Sequence, residues 1–364
     1  MIPTELSQRY QQINSNCHTR LTGQPRLSMR EQLAAITEQS DQYAQQDVYG
    51  SGELIESFEA DIAELLGKEA AVFLPSGTMA QAIALRIWSE HNGSPYVGFH
   101  ATSHLELHES KAYQALHGLH GILLGDRNSV ITLADLEAVT DPLAAVLLEL
   151  PMREIGGQLP SWEELQSQSA WAREQGIALH MDGARLWQCT PYYERTLAEI
   201  AALFDSVYLS FYKDMGGIAG STLAGSEEFI QAAKTWIRRA GGNLYSLFPY
   251  VLAARAGMER NLAAMPAAVD AATWLARFLN SIEGLETLPT VPPTNLFHLL
   301  VPGNPADLVE HACNWSEQHG VFLLPMPRAS LGSRCICEFS IGQAINAEPR
   351  ERWQAWIEDF FLSR

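Results

Sequence analysis

Long apolar runs are missing from this chain of 364 residues. No stretch approaches the ~20 consecutive apolar residues that span a bilayer, and the first twenty residues, MIPTELSQRYQQINSNCHTR, lack the apolar core of a secretory signal. A membrane role is therefore excluded, and a soluble, cytoplasmic protein is expected. Cysteine is scarce as well. Cys17, Cys189, Cys313, Cys335 and Cys337 are odd in number and scattered, in a chain large enough to fold without disulfides, which fits a reducing compartment. Cys335 and Cys337 point to one face of a strand and are read as packing. No other Cys or His is spaced to complete a metal site, so no metal is expected. Positive charge is the third shortage: 24 Lys+Arg against 42 Asp+Glu leave a net charge of −18. That balance excludes a reader of nucleic-acid phosphates and a binder of anionic membranes, while still permitting one local cationic pocket. Lysine is the scarcest cation, with only Lys68, Lys111, Lys213 and Lys234.

What is present is an alternation, from about residue 69, of short β-branched apolar runs with longer amphipathic segments. Strands are predicted at 70–74, 96–99, 121–124, 144–150, 177–181, 206–211 and 221–224. Several are apolar throughout, as strands buried on both faces are. The fold class expected is α/β: a mostly parallel seven-stranded sheet covered by helices on both faces, followed by a smaller α+β C-terminal domain. Ser161 with Glu164 three residues on is read as a capping box opening a helix that closes at Gly176, and Ser226 with Glu227 and Glu228 opens another. An Ala-rich helix interrupted near Pro266 should connect the domains. Beyond the Pro-rich break at 288–293, strands are expected at 295–301, 321–324 and 335–341, with helices near 305–319 and 348–362. The expected division is an N-terminal segment 1–44 packing on the small domain, a large domain 45–250, and a small domain 251–364.

Four places carry residues of chemical interest. At Leu74-Pro-Ser76-Gly77-Thr78-Met79 a strand runs into a turn and then a helix, so that backbone N–H groups, hydroxyls and a glycine make an anion site suited to phosphate. Thr78 and Gln81 also match a capping box, which is the competing reading. At His180-Met-Asp182-Gly-Ala-Arg185 a strand ends in a carboxylate able to hold a heterocyclic nitrogen protonated, followed by an arginine able to fork onto a carboxylate. At Ser210-Phe-Tyr212-Lys213-Asp214 the lysine lies at a strand end, where an apolar pocket lowers its pKa and makes it a nucleophile. His104 lies among His100, Ser103 and His108, placed to stack on a flat cofactor.

In this order these motifs resemble the aspartate-aminotransferase-like fold of pyridoxal phosphate (PLP) enzymes. With Asp47-Val48-Tyr49-Gly50, Ser103-His104 and Gly156-Gly157 they look like the threonine aldolase, or β-eliminating lyase, family, over most of the chain from about residue 17. The resemblance implies PLP held covalently by Lys213, with Asp182 on the pyridine nitrogen and His104 on the ring. Lys213, His104 and Asp182 would thus be the catalytic residues. Ser76, Gly77 and Thr78 would hold the phosphate, Arg185 would serve the cofactor pocket and the substrate carboxylate, and Thr19, Met152 and Tyr49 would face the substrate. The activity implied is retro-aldol cleavage of a threonine-like β-hydroxy-α-amino acid to glycine and an aldehyde, by a homodimer or homotetramer with its site at the subunit interface. Met152 stands where the family usually places a histidine, which leaves His104, His108 or a bound water as bases. The alternatives are β-elimination or transaldol exchange on another amino acid, and a PLP-fold protein that binds without turnover.

Overall fold

The computed structural model describes residues 2–364. The chain divides into two compact units: residues 28–154 with 159–263, and residues 2–27 with 155–158 and 264–364. These limits lie at 27/28 and 263/264 instead of 44/45 and 250/251. Helix Met29–Ser40 belongs to the larger unit, where Gln39 Nε2 donates to Glu259 Oε2 of helix Phe248–Asn261 at 2.7 Å.

The larger unit is built on a seven-stranded sheet in the order Ala70–Leu74, Ser221–Gly225, Ser206–Ser210, Ala178–Gly183, Leu143–Glu149, Tyr96–His100, His120–Leu124. Only Ser221–Gly225 runs antiparallel to its neighbours, so the sheet is mostly parallel as expected. The inner strands are buried along their length because helices cover both faces. Val72, Leu74, Ile83, Leu223, Phe229 and Ile237 form one layer of this core. Helix Trp162–Gln175 starts where Ser161 Oγ accepts from Glu164 N at 3.1 Å and ends at Gly176 in the left-handed region. The Glu164 side chain turns instead to the N–H of Leu133.

The smaller unit holds a four-stranded antiparallel sheet in the order Pro327–Leu331, Arg334–Ser340, Leu296–Pro302, Glu286–Leu288. The first and last of these strands carry no clear alternation and escape the sequence reading. Cys335, Cys337 and Phe339 alternate inward along one strand and join a core with Phe297, Trp315 and Trp353. All five cysteines are free and buried. Thr19–Arg20 pairs in parallel with Val321–Phe322. Gly156 belongs here too: at φ +83°, a Cβ on it would stand 2.1 Å from the Leu288 carbonyl oxygen, so only glycine fits.

The stretch Phe248–Asn280 is apolar enough by composition and length to cross a membrane. It is divided by a 3-10 turn at 262–264, with Pro266 in the first turn of the second helix. Val251, Leu252 and Ala254 are buried in the larger unit, and Ala272, Leu275 and Leu279 in the smaller one, as core helices are.

Candidate functional site

Ligands of parallel α/β sheets bind outside the carboxyl ends of the strands, and that is where the larger unit gathers its titratable groups. Glu149 closes strand Leu143–Glu149 and Asp182 lies one residue from the end of the neighbouring strand. The two are register partners. Asp182 is buried, and the one hydrogen bond its carboxylate makes among the described residues is accepted by Oδ1 from the Ala184 N–H at 3.1 Å. Lys213 follows the third strand of this group, Ser206–Ser210.

Burial pulls the Lys213 pKa below the ordinary lysine range and Arg185 adds to that push, while Asp182, Glu149 and Asp214 oppose it. Glu149 moves in the other direction. Burial lifts Glu149 to about 7, helped by the charge of Asp182, while the Arg153 N–H, Lys213 and Arg185 act against the rise. Asp214 is anchored by Gln188 Nε2 at 2.8 and 2.9 Å. Arg185 is half-buried in the turn after Asp182 and forms no ion pair among the described residues. A guanidinium so placed is open to an outside carboxylate.

The predicted phosphate turn is built from Ser76, Gly77 and Thr78. Helix Gly77–Asn92 begins from extended Ser76, whose side chain caps nothing, so the first N–H groups of the helix stay available. The capping box between Thr78 and Gln81 does not form. Gln81 Oε1 instead meets His180 Nε2 at 2.8 Å, and burial lowers that histidine to about 3, leaving it a neutral structural group. A Cβ on Gly77 would stand 2.0 Å from the Tyr208 hydroxyl. Tyr208 is the register partner of Asp182, so the helix start packs against the strand that lies beside Asp182 and leads toward Lys213.

His104 opens a single helical turn after strand Tyr96–His100. Its Nδ1 is 2.9 Å from Glu109 Oε1, and Glu109 is buried, with its other oxygen unpartnered. Burial raises the Glu109 pKa; the His104 bond opposes this, Asp182 adds to the rise, and Lys213 opposes it. His104 therefore stands in the electrostatic neighbourhood of the lysine. Sequence reasoning passed over Glu149, Glu109 and Tyr208. Glu149 was legible as a carboxylate ending an apolar strand and Glu109 as one five residues from His104, whereas nothing local marks Tyr208.

Three further residues were expected to face the substrate. Met152 is buried in the loop that follows Glu149. Tyr49 has φ +50° and is exposed, packed edge to face on Tyr245 at 5.4 Å with its N–H donated to the Tyr245 carbonyl at 2.8 Å. Its neighbour Asp47 is fully buried and accepts from Ser246 Oγ and Leu247 N, which explains that motif as a loop clasp. Thr19 lies in the smaller unit, paired with Val321.

Residues 22–301 match the family model described as beta-eliminating lyase. The crystal structure of a candidate L-allo-threonine aldolase from Listeria monocytogenes superposes with a TM-score of 0.90 at 40% identity, covering 98% of this chain and 99% of that one. A candidate aromatic amino acid beta-eliminating lyase/threonine aldolase from Exiguobacterium superposes at 0.91 with 38% identity, covering 97% and 99%. An Arabidopsis thaliana protein named probable low-specificity L-threonine aldolase 2 is 28% identical over 290 residues, 77% of this chain and 81% of that one.

Proposed function

Because the chain belongs to the beta-eliminating lyase family, we propose that it is a PLP-dependent lyase that cleaves the Cα–Cβ bond of a threonine-like β-hydroxy-α-amino acid to glycine and an aldehyde. The observation that carries this reading is the placement of one half-buried lysine beside Asp182 and an arginine without an ion-pair partner, at the carboxyl ends of a parallel sheet. The residues fit the cofactor. The helix start at Gly77 leaves N–H groups free for a phosphate, and Asp182 keeps an oxygen free for a protonated ring nitrogen. When bound, PLP supplies a sink for the electron pair released as a bond to the substrate Cα breaks.

The chain's own groups do the rest. A lowered pKa keeps part of Lys213 as the neutral amine that reacts with carbonyl carbon. Asp182, held rigidly in the sheet, is suited to keep a ring nitrogen protonated. Arg185 fixes the substrate carboxylate and so helps decide which Cα bond is aligned for cleavage. Glu109 orients the imidazole of His104, which we assign to the cofactor ring. The substrate-side assignments of Thr19, Tyr49 and Met152, and a homo-oligomer with its site at the subunit interface, rest on the resemblance. The free, buried cysteines support a cytoplasmic location.

The test is incubation of the purified, PLP-loaded protein with threonine and allo-threonine. Glycine and acetaldehyde should appear in equal amounts, and Lys213→Ala should abolish both together with the borohydride-sensitive visible band of lysine-bound cofactor. Met152, which carries no proton acceptor, favours elimination as the second reading. Pyruvate and ammonia from serine, without glycine from threonine, would select it.

A further inference from the structure

Retro-aldol cleavage requires a group that takes the proton from the β-hydroxyl, and the loop after Glu149 offers none at Met152. The same loop presents Glu154, however, and Glu154 Oε1 is 2.9 Å from His108 Nε2. Arg153 Nη1 lies 3.4 Å from the same oxygen and ties the carboxylate to the loop, while the Arg153 N–H donates to Glu149 Oε1 at 3.1 Å. His108 is thus linked through the loop to the strand end beside Asp182. Its ring centroid is 5.0 Å from that of His104, whose Nδ1 is occupied by Glu109. Two histidine–carboxylate pairs therefore stand side by side, His104 with Glu109 and His108 with Glu154, contributed by one helical turn and the loop after Glu149.

We propose that His108, oriented by Glu154, is the base that accepts the β-hydroxyl proton; this rests on the retro-aldol reading above. With Glu154 accepting from Nε2–H, the His108 Nδ1 lone pair has no partner among the described residues. The arrangement is the general one in which a carboxylate sets the tautomer of a catalytic imidazole. In the step, the hydroxyl O–H bond breaks and its proton moves to Nδ1. The oxygen electron pair forms the aldehyde C=O as the Cα–Cβ bond breaks, and the Cα–Cβ pair remains with Cα. A proton later returned to Cα gives glycine, so the reaction is redox-neutral and needs no further reactant. His108 is 37% exposed at its side chain and can exchange its proton with water between turnovers. The charged and titratable groups facing it are His104, Glu109, Arg153 and Glu154.

The test compares His108→Asn and Glu154→Gln with wild type in two reactions of the PLP-loaded enzyme: aldehyde release from threonine or allo-threonine, and α-proton exchange of alanine in heavy water, which has no hydroxyl to deprotonate. His108→Asn should lower kcat for aldehyde release by about 10²-fold or more, the usual worth of a general base, with KM little changed. The loss should exceed any fall in alanine exchange at least tenfold. Independently of turnover, nitrogen NMR of the protein should show His108 as the Nε2–H tautomer, and Glu154→Gln should lose that preference. Equal losses in both reactions, unchanged aldehyde release, or a tautomer indifferent to Glu154→Gln would overturn the proposal alone. A wild-type enzyme that exchanges alanine but releases no aldehyde would overturn the retro-aldol reading and this proposal with it.

Discussion

Glu149 and Asp182 stand opposite each other at the carboxyl ends of two adjacent parallel strands, with the Leu150 N–H donated to the Asp182 carbonyl at 2.9 Å. In parallel pairs such partners point to the same side of the sheet, so two carboxyls face one lysine. The charge of Asp182 adds to burial in lifting Glu149 to about 7.

Glu149→Gln removes one of the three carboxylates that resist the lowering of the Lys213 pKa. The sign follows directly: with less negative charge nearby, the ammonium is less favoured and the neutral amine forms at lower pH. The pH midpoint for recombination of apoprotein with PLP, followed by the visible band, should fall. A midpoint that stays in place would mean that Glu149 is already protonated there or does not act on the lysine.

Gly77→Ala places a Cβ 2.0 Å from the hydroxyl of Tyr208, a side chain only 3% exposed and unable to swing aside. Overpacking of this kind costs about 1–3 kcal/mol. Thermal unfolding should show the loss and equilibrium dialysis a weaker hold on PLP. Tyr208→Phe in the same chain should recover part of the stability.

Arg185→Lys keeps the charge but removes the planar fork. If Arg185 grips the substrate carboxylate, KM for the amino acid should rise about 10- to 100-fold, the range expected for a lost charge-assisted hydrogen bond of about 1.5–3 kcal/mol. Steady-state kinetics with kcat reported separately would decide this, because a fall in kcat alone would place Arg185 elsewhere.

Glu59 offers a prediction about stability. It is 7% exposed, accepts from the Phe73 N–H at 2.8 Å, and is lifted to about 7 by burial. A carboxyl raised in the folded state is protonated in both states below its unfolded pKa and costs nothing there. Stability then falls as pH rises through the interval up to about 7, and the full cost persists above it. Glu59→Gln should therefore match wild type near pH 4 and exceed it at pH 8 by about 3 kcal/mol at most, at 1.36 kcal/mol per pKa unit. Urea unfolding at the two pH values would show an equal offset if titration were irrelevant.

The division of labour between sequence and tertiary structure follows the range of the forces. Apolar runs placed all seven strands of the large sheet within a residue or two, since burial on both faces leaves a mark in the strand itself, while helices such as Met29–Ser40 and Glu53–Leu66 went unread. Lys213, Asp182 and the Gly77 turn were legible because strand ends and helix starts carry local signals. The edge strands Glu286–Leu288 and Pro327–Leu331 were not, because half-exposed strands of mixed composition leave none. Nor was the fate of the Thr78–Gln81 pair: a buried histidine 99 positions away outcompeted the local cap. Glu154 beside His108 and Tyr208 across Gly77 arise only once segments distant in sequence lie side by side, whereas Glu109 meets His104 from five positions along the same turn. Sequence alone decided which chemical groups exist and which strand ends carry them. Folding decided which carboxylate faces which base, because ionic and hydrogen-bond pairing depends on separations of a few ångströms that no spacing along the chain records.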